Sequence, residues 1–528
     1  MGLYTWQKES IRIWYENQFQ GIVNVVTGGG KTVMALYAAR VLEKYLKSQS
    51  TDTCSSLRIK IVVPTFPLAA QWARAMEKYL PDCGSLQQKP GFYHSERKDN
   101  PQRKYMIYII NSARYSLARH IVEDIQNGFH IMLIADECHH YASPENQKIF
   151  DFLKTNVDAK KYYHSLGLSA TPQVHNYHSV LVPALGKEIY QYGFSKAAKE
   201  KNVCNFSIYQ IALSFTSKEG AEYGEISDKL SIIYQRLMKK YPYLRTLDRT
   251  RFFAAVSRIA EENEKDTSSL ARVFLNLSYK RQELNHMASS RISCTVTLVD
   301  LLDSKERILI FGERIKQAEK VYKELSRRYP NQVGCYHSEM SPLARKNALA
   351  RFHDGSSRIL VSCRALDEGI DVPDATVGIV LSGASVNRQR IQRLGRILRR
   401  QKEKYFVCLY YLYIWESADD SAFLPDQEEK FTVCNLSYNS GENIFCHPSY
   451  ENTAASLLKI TEKNHVDKIL LNEMRRCISV GLVRSDWLLP VDICSEQIKK
   501  AKNQREKNYW ICMKQMAKLS GSLTEEGI

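Results

Sequence analysis

The chain contains no uninterrupted apolar run of about 18 residues, the length that a membrane-spanning helix requires. Its first ten residues, MGLYTWQKES, lack the apolar core of a secretory signal peptide. The 13 cysteines include no Cys-x-x-Cys pair and no spacing typical of metal ligands. We therefore expect a cytoplasmic protein with reduced thiols, no membrane association, no zinc and no disulfides.

Acidic residues are too few to balance the basic ones. The chain has 57 Asp and Glu against 74 Lys and Arg, which gives a formal net charge of +17. Such a surplus favours a polyanionic partner, because cations that neutralise phosphates release bound counterions. Charge alone does not separate DNA from RNA or from an acidic membrane. The length of 528 residues is enough for about three or four domains.

A glycine-rich loop joins a β-branched run to an amphipathic helix. The loop consists of Thr27, Gly28, Gly29, Gly30, Lys31 and Thr32. Glycines let the backbone fold tightly around a polyphosphate, with amide N–H groups turned towards it. Lys31 would pair with the β- and γ-phosphates, and the Thr32 hydroxyl would hold Mg²⁺. Val25 stands where the usual motif has its first Gly, so an ordinary Gly-rich turn is the alternative to a nucleotide site.

Short apolar runs of strand length alternate with helix-period segments in two parts of the chain. The runs lie at 58–63, 105–110, 130–135 and 165–169, and again at 307–311, 333–336, 358–362, 376–381 and 405–413. This alternation predicts an α/β fold whose parallel sheets are covered on both faces by helices. We predict one lobe over residues 1–195 and a second over residues 301–415.

The two remaining parts of the chain have weaker patterns. Residues 196–300 are predicted to be a mainly helical insertion or linker, whose basic helix faces suit either solvation or a nucleic-acid clamp. Residues 416–528 are predicted to form a small α-rich accessory region, with helix-like stretches at 463–480 and 494–518. This region is a possible contact for a protein partner.

An acidic pair ends the apolar run at 130–135. Asp136 would hold Mg²⁺ through water, and Glu137 would orient or deprotonate the attacking water. Taken alone, an Asp-Glu pair after a strand is more often a solvated turn. Paired with Lys31 and Thr32, it predicts the second half of an ATPase site, because the carboxyl ends of parallel strands meet at one edge of the sheet.

Four stretches together resemble the motif series of superfamily 2 helicases of the DExH type. They are Thr27–Thr32, Asp136–His139, Ser169–Pro172 and Gln392–Arg399. The short sequences of the second lobe are most similar to the XPB-like and restriction-subunit-like branch. The resemblance covers about 1–190 and 300–415, and it implies two RecA-like lobes, the cofactors ATP and Mg²⁺, and a nucleic-acid partner, with double-stranded DNA favoured.

The resemblance also implies roles for residues of the first lobe. Gln7 stands where the family contacts adenine, and Thr27 belongs to the nucleotide loop. Thr65 and Ser112 match positions that touch the nucleic-acid backbone, although hydroxyls there also cap helices. The coupling of hydrolysis to lobe movement would involve Ser169, Thr171 and His139.

In the second lobe, Gly369 and Asp371 match a motif that touches both nucleotide and nucleic acid. Cys363 stands where the family commonly has Thr or Ser, so that phosphate contact is in doubt, and Arg364 beside it is a candidate substitute. Two further candidates, Arg396 and Arg399, lie three residues apart and can share a helix face.

These two arginines would act as arginine fingers, because planar guanidinium groups suit the oxygens of a phosphoryl group in transfer. An Arg-rich nucleic-acid face is the alternative role for the helix that carries them. Gln392 at the start of this motif is assigned to the nucleotide site and argues against the DEAD-box RNA helicases.

We expect an ATP-dependent DNA helicase or translocase, in DNA repair or in defence against foreign DNA. The main alternative is an ATP-gated nucleic-acid sensor that signals or recruits without translocating. Two others are a nuclease-bearing defence subunit, suggested by Glu428 and Glu429, and a scaffold with an inactive ATPase fold. A solvated acidic linker explains the two glutamates better, and the complete set of ATPase residues opposes the scaffold.

Overall fold

The computed structural model describes residues 2–26, 28–49, 57–80, 89–155, 158–174, 176–200, 202, 204–261, 265–363, 375–382, 406–417, 433–447, 455 and 468–524. Seven predicted site residues lie outside these ranges: Thr27, Arg364, Gly369, Asp371, Gln392, Arg396 and Arg399. The acidic residues Glu428 and Glu429 also lie outside them. Within the described ranges, no helix is both long enough and apolar enough to cross a membrane.

An eight-stranded sheet forms the centre of the first lobe. Its strands are β1 (Gln20–Val25), β2 (Leu57–Val63), β3 (Gly91–His94), β4 (Arg97–Lys98), β5 (Tyr105–Ile109), β6 (His130–Asp136), β7 (Tyr163–Ser169) and β8 (Glu188–Tyr192). Their order across the sheet is β4-β3-β5-β2-β6-β7-β1-β8. Every neighbouring pair is parallel except the β3–β4 hairpin.

Helices cover both faces of this sheet. They are α1 (Thr5–Glu16), α2 (Lys31–Gln49), α3 (Phe66–Tyr79), α4 (Ile110–Ala113), α5 (Leu117–Gln126), α6 (Ala159–Tyr162), α7 (Val182–Leu185) and α8 (Phe194–Lys199). Strand β6 shows the consequence, because Met132 and Ile134 enter one hydrophobic cluster and Ile131 and Leu133 enter another. A strand that is buried on both faces has a continuous apolar sequence, and the apolar run at 130–135 is such a sequence.

A second eight-stranded sheet contains β9 (Asn205–Leu213), β10 (Ile308–Gly312), β11 (Val333–Tyr336), β12 (Ile359–Cys363), β13 (Val377–Val380), β14 (Phe406–Ile414), β15 (Val433–Asn439) and β16 (Ile444–Cys446). Its order is β11-β12-β10-β13-β14-β9-β15-β16, parallel except for the β15–β16 hairpin. The two mostly parallel sheets confirm the predicted α/β fold of two lobes.

The second sheet reaches beyond the predicted range of 301–415. Strand β9 lies in the predicted insertion, and β15 and β16 lie in the predicted accessory region. The reason is long-range pairing: β9 joins β14 along its whole length, from Asn205 opposite Phe406 to Leu213 opposite Ile414. The paired residues are 201 positions apart in the chain, so no local pattern specifies their pairing.

Nine further α-helices lie in the described ranges: α9 (Ser217–Lys240), α10 (Arg249–Glu261), α11 (Lys265–Met287), α12 (Ser289–Leu301), α13 (Ile315–Arg328), α14 (Pro342–His353), α15 (Lys468–Arg484), α16 (Val491–Lys500) and α17 (Gln504–Thr524). Helices α9, α10 and α11 share a small core of their own, which includes Leu237, Val256 and Phe274. In contrast, α12, α15 and α17 bury side chains in the core of the second sheet. The C-terminal helices are therefore packed onto the second lobe.

Candidate nucleotide site

The topology of the first sheet brings three loops to one edge. Strands β6, β7 and β1 are neighbours in that order and run parallel. Their carboxyl ends carry Asp136, Ser169 and the glycine-rich loop that follows Val25. Ligands in such α/β sheets bind beyond the carboxyl ends of the strands. The structure thus brings together the residues that the sequence assigned to the two halves of an ATPase site.

The glycine-rich loop adopts backbone angles that favour glycine. Gly28 has a φ of +87° and Gly30 a φ of +100°. A Cβ atom on Gly30 would lie 2.9 Å from the Gln7 Nε2 atom, so a larger residue there would displace the end of the Gln7 side chain. That Nε2 atom donates a hydrogen bond to the carbonyl oxygen of Gly30 at 3.0 Å. Gln7 therefore ties α1 to the loop and is positioned beside the site.

Lys31 and Glu137 form an ion pair across the site. The Lys31 Nζ atom lies 3.1 Å from the Glu137 Oε1 atom, and both side chains are nearly buried. Glu137 has a φ of +49°, a left-handed conformation that a non-glycine residue holds only where surrounding contacts enforce it. The ion pair therefore holds the Lys31 ammonium and the Glu137 carboxylate next to each other in the site.

Asp136 is buried behind this ion pair. Its Oδ2 atom accepts a hydrogen bond from the Trp72 Nε1 atom at 2.7 Å, and its Oδ1 atom accepts one from the Glu137 backbone N–H at 3.1 Å. Burial and the neighbouring Glu137 carboxylate raise the pKa of Asp136 above its usual value. The nearby Lys31 cation and the two hydrogen bonds oppose this shift. Asp136 is thus a fixed carboxylate suited to a cation.

A cavity of about 390 Å³ opens in front of these residues. Its lining includes Gly28, Gly30, Lys31, Thr32, Asp136 and Glu137. Its size falls within the range of ligand pockets, roughly 300–1,000 Å³. An ammonium group for phosphate and a hydroxyl and a carboxylate for Mg²⁺ face the same space, so the residues present fit a Mg²⁺-bound nucleotide.

Several residues of this site carry no sequence signal that assigns them to it. Trp72 contacts Asp136 from α3, and Tyr4 and Asn202 line the cavity. The Tyr141 hydroxyl lies 2.7 Å from the carbonyl oxygen of Asp136 and 2.8 Å from that of Val62, which fixes the end of β6. A helical apolar pattern accounts for Trp72 as core, so its indole N–H contact is visible only in the structure.

His139, Ser169 and Thr171 lie together beside the acidic pair. The His139 Nδ1 atom is 2.9 Å from the Ser169 Oγ atom and 3.6 Å from the Glu137 Oε2 atom. The Ser169 Oγ atom also accepts a hydrogen bond from the Thr171 backbone N–H at 3.0 Å. These contacts join the end of β6 to the loop after β7, as expected for residues that link two motifs.

The predicted nucleic-acid contacts lie elsewhere. Thr65 follows β2 and Ser112 lies in α4 after β5, on the same sheet edge but outside the lining of the nucleotide cavity. Cys363 ends β12 in the second sheet and lines a different cavity of about 630 Å³, together with Tyr279 of α11. Their contacts with nucleic acid stay predictions.

Comparison with known proteins gives matches to both halves of the chain. Residues 1–174 match the family described as "Type III restriction enzyme, res subunit", and residues 291–401 match "Helicase conserved C-terminal domain". The chain is 29% identical over 405 residues to the DNA 3'-5' translocase XPB2 of Sulfurisphaera tokodaii, which covers 76% of this chain and 80% of that protein.

Two further relatives have lower identity. A Halobacterium salinarum protein described as a DNA 3'-5' helicase, Rad25, is 23% identical over 401 residues, or 75% of this chain and 52% of its own length. A fragment structure assigned as an HsdR subunit of a type I restriction enzyme from Vibrio vulnificus aligns with a TM-score of 0.51 and 15% identity, covering 82% of this chain and 68% of that one. That last likeness concerns the fold alone.

Proposed function

We propose that this chain, which belongs to superfamily 2 of the helicases and translocases and is a nucleic-acid-dependent ATPase, moves along duplex DNA as it hydrolyses ATP. The class of enzyme is supported by the match of the first lobe to the res subunit of type III restriction enzymes and of the second lobe to the helicase C-terminal domain. The choice of DNA is supported by the similarity to a protein named as a DNA translocase over three quarters of the chain, and the duplex form is part of our proposal. The net charge of +17 suits such a polyanionic partner.

The observation that carries this proposal is the convergence of Lys31, Asp136 and Glu137 on one cavity. Lys31 would bind the β- and γ-phosphates, while Thr32 and Asp136 would hold Mg²⁺, which neutralises charge on the phosphate oxygens when it is bound. The Glu137 carboxylate would orient the attacking water and accept its proton.

The ion pair with Lys31 has a consequence for Glu137. While the Lys31 Nζ atom lies 3.1 Å from its Oε1 atom, the carboxylate is committed to that cation and is a poorer base. Binding of phosphate to Lys31 would release Glu137 to contact water. Arg396 and Arg399 are proposed to reach the transferred phosphoryl group from the second lobe, which makes hydrolysis depend on closure of the two lobes.

The setting of this activity is also a proposal. DNA repair and defence against foreign DNA are the two candidates, and a protein partner would bind through residues 416–528. The proposed location is the cytoplasm, which supplies ATP.

ATP hydrolysis tests the proposal directly. Wild type and Lys31→Ala are compared without nucleic acid and with single-stranded DNA, duplex DNA and RNA. We expect strong stimulation by duplex DNA that is lost in the variant. Stimulation by RNA alone would overturn the choice of substrate, and normal stimulated hydrolysis by Lys31→Ala would overturn the assignment of the nucleotide site.

A further inference from the structure

Three aromatic rings stand at the carboxyl ends of three neighbouring strands of the first sheet. Strands β3, β5 and β2 are adjacent in that order. His94 is the last residue of β3, Phe66 lies three residues after β2, and Tyr115 lies six residues after β5. Phe66 is 56% exposed and Tyr115 is 74% exposed. These rings share the sheet edge with the nucleotide site but lie outside the lining of its cavity.

Neighbouring side chains contact the Phe66 and Tyr115 rings but leave most of their surface exposed to solvent. The Phe66 and His94 ring centroids are 5.4 Å apart with an interplanar angle of 80°, an edge-to-face arrangement that leaves more than half of Phe66 accessible. The Arg114 guanidinium carbon lies 5.6 Å from the centroid of the Tyr115 ring. A cation beside an open aromatic face suits a ligand that has both a phosphate and a flat ring.

The predicted backbone contacts are immediate neighbours of these rings in sequence. Thr65 directly precedes Phe66, and its hydroxyl is a buried atom with no hydrogen-bond partner among the described residues. Ser112 lies three residues before Tyr115, and the Tyr115 backbone N–H donates to the Ser112 carbonyl oxygen at 3.3 Å. A strand that passed along the chain segments of Thr65 and Ser112 would therefore run beside the two exposed rings.

We propose that Phe66 and Tyr115 stack on unpaired bases of a DNA strand that crosses this edge of the first lobe. The inference rests on the proposed function, since it assumes that DNA binds there, and it adds a statement about the form of the DNA. In a duplex the base faces are covered by neighbouring bases, so open rings gain contact only with a strand that is locally unpaired. The chain would accordingly hold a separated strand in part of its site.

Fluorescence of 2-aminopurine in a single-stranded oligonucleotide tests this inference, because stacking on an aromatic ring quenches it. The variants are Phe66→Leu and Tyr115→Leu, which keep apolar volume but remove the ring. Tyr115→Phe keeps the ring. Tyr15→Leu is the matched control, because Tyr15 is 47% exposed and packs against Phe19, which immediately precedes β1 at the amino edge of the same sheet.

We expect wild type and Tyr115→Phe to quench the probe at particular positions of the oligonucleotide. Each ring-removing variant should lose quenching at one position and bind single-stranded DNA about 5-fold to 100-fold more weakly. Its affinity for intact duplex should change less than twofold. Replacing the quenched base by an abasic site should weaken wild type to the level of the variant and leave the variant unchanged.

The inference is overturned if both Leu variants retain quenching and single-strand affinity. It is also overturned if the Leu variants lose as much affinity for intact duplex, or for the strand with the abasic site, as they lose for the intact single strand. The first result would assign the rings to another partner, such as a protein. Failure of the proposed function is distinguishable, because it would appear as absent DNA binding and absent DNA-stimulated hydrolysis in the wild type itself.

Discussion

The His139 Nδ1 atom lies 2.9 Å from the Ser169 Oγ atom, and this contact joins two adjacent strand ends. On one side, the same His139 Nδ1 atom lies 3.6 Å from the Glu137 Oε2 atom. On the other side, the Ser169 hydroxyl accepts the Thr171 backbone N–H. A change in the position of Glu137 can therefore reach the loop after β7 through two side chains. We propose that this chain of contacts links hydrolysis to movement in the first lobe.

Substitution of Ser169 should separate hydrolysis from movement. Ser169→Ala removes the hydroxyl that both His139 and Thr171 contact, but leaves Lys31, Asp136 and Glu137 in place. We expect DNA-stimulated ATP hydrolysis to stay within about threefold of wild type, whereas the displacement of a third strand from duplex DNA falls at least tenfold. Ser165→Ala in the same strand is the control. Equal losses of hydrolysis and displacement would show that Ser169 serves the chemistry instead.

Asp124 should be a large contributor to the stability of the first lobe. It is buried, it lies 2.6 Å from the buried Lys60 Nζ atom, and it also pairs with Arg58. Asp124→Asn leaves a buried ammonium without its counterion, which costs about 3–5 kcal/mol of unfolding free energy. Asp151→Asn, which breaks an exposed pair with Lys154, should cost no more than about 1 kcal/mol. Urea unfolding measures both, and a similar small cost for the two variants would contradict the prediction.

His120 should make the first lobe less stable in mild acid. Burial, with help from the Lys60 and Arg119 charges, lowers the pKa of His120 to about 4. Between about pH 6.5 and pH 4 the unfolded chain binds a proton that folded His120 does not, so stability falls as the pH falls through this range. The loss from pH 7 to pH 5 should be about 1–2 kcal/mol. It should be smaller in His120→Gln, and equal pH dependence of unfolding in the two proteins would contradict this.

Gln7 should influence both the affinity for nucleotide and the choice of base. Its side chain donates to the Gly30 carbonyl and accepts from the Tyr4 backbone N–H at 2.9 Å. Gln7→Ala removes both hydrogen bonds and the predicted adenine contact, so KM for ATP should rise about tenfold. The preference for ATP over GTP should fall with it, while the exposed control Gln126→Ala should behave as wild type. A raised KM with unchanged base preference would limit Gln7 to fixing the loop.

The sequence predicts best what short stretches determine. Local sequence is enough to predict the turn at Gly28 and Gly30 and the buried strand β6. The strand order then places Lys31 beside Glu137. What depends on distant partners could not be predicted in this way. Strand β9 pairs with residues that lie 201 or more positions away in the chain, and Trp72 reaches Asp136 from a helix whose pattern indicates only core. Arg396 and Arg399 stay predictions.

Displacement of a third strand from a triple helix tests the central claim most directly. The third strand is bound to duplex DNA downstream of a loading site, and its release is followed in wild type and Glu137→Gln with ATP. We expect wild type to release it after a delay that lengthens with the distance from the loading site. Glu137→Gln should bind ATP and DNA without release. Rapid DNA-stimulated hydrolysis by wild type with no release at any distance would contradict translocation and favour an ATP-gated sensor.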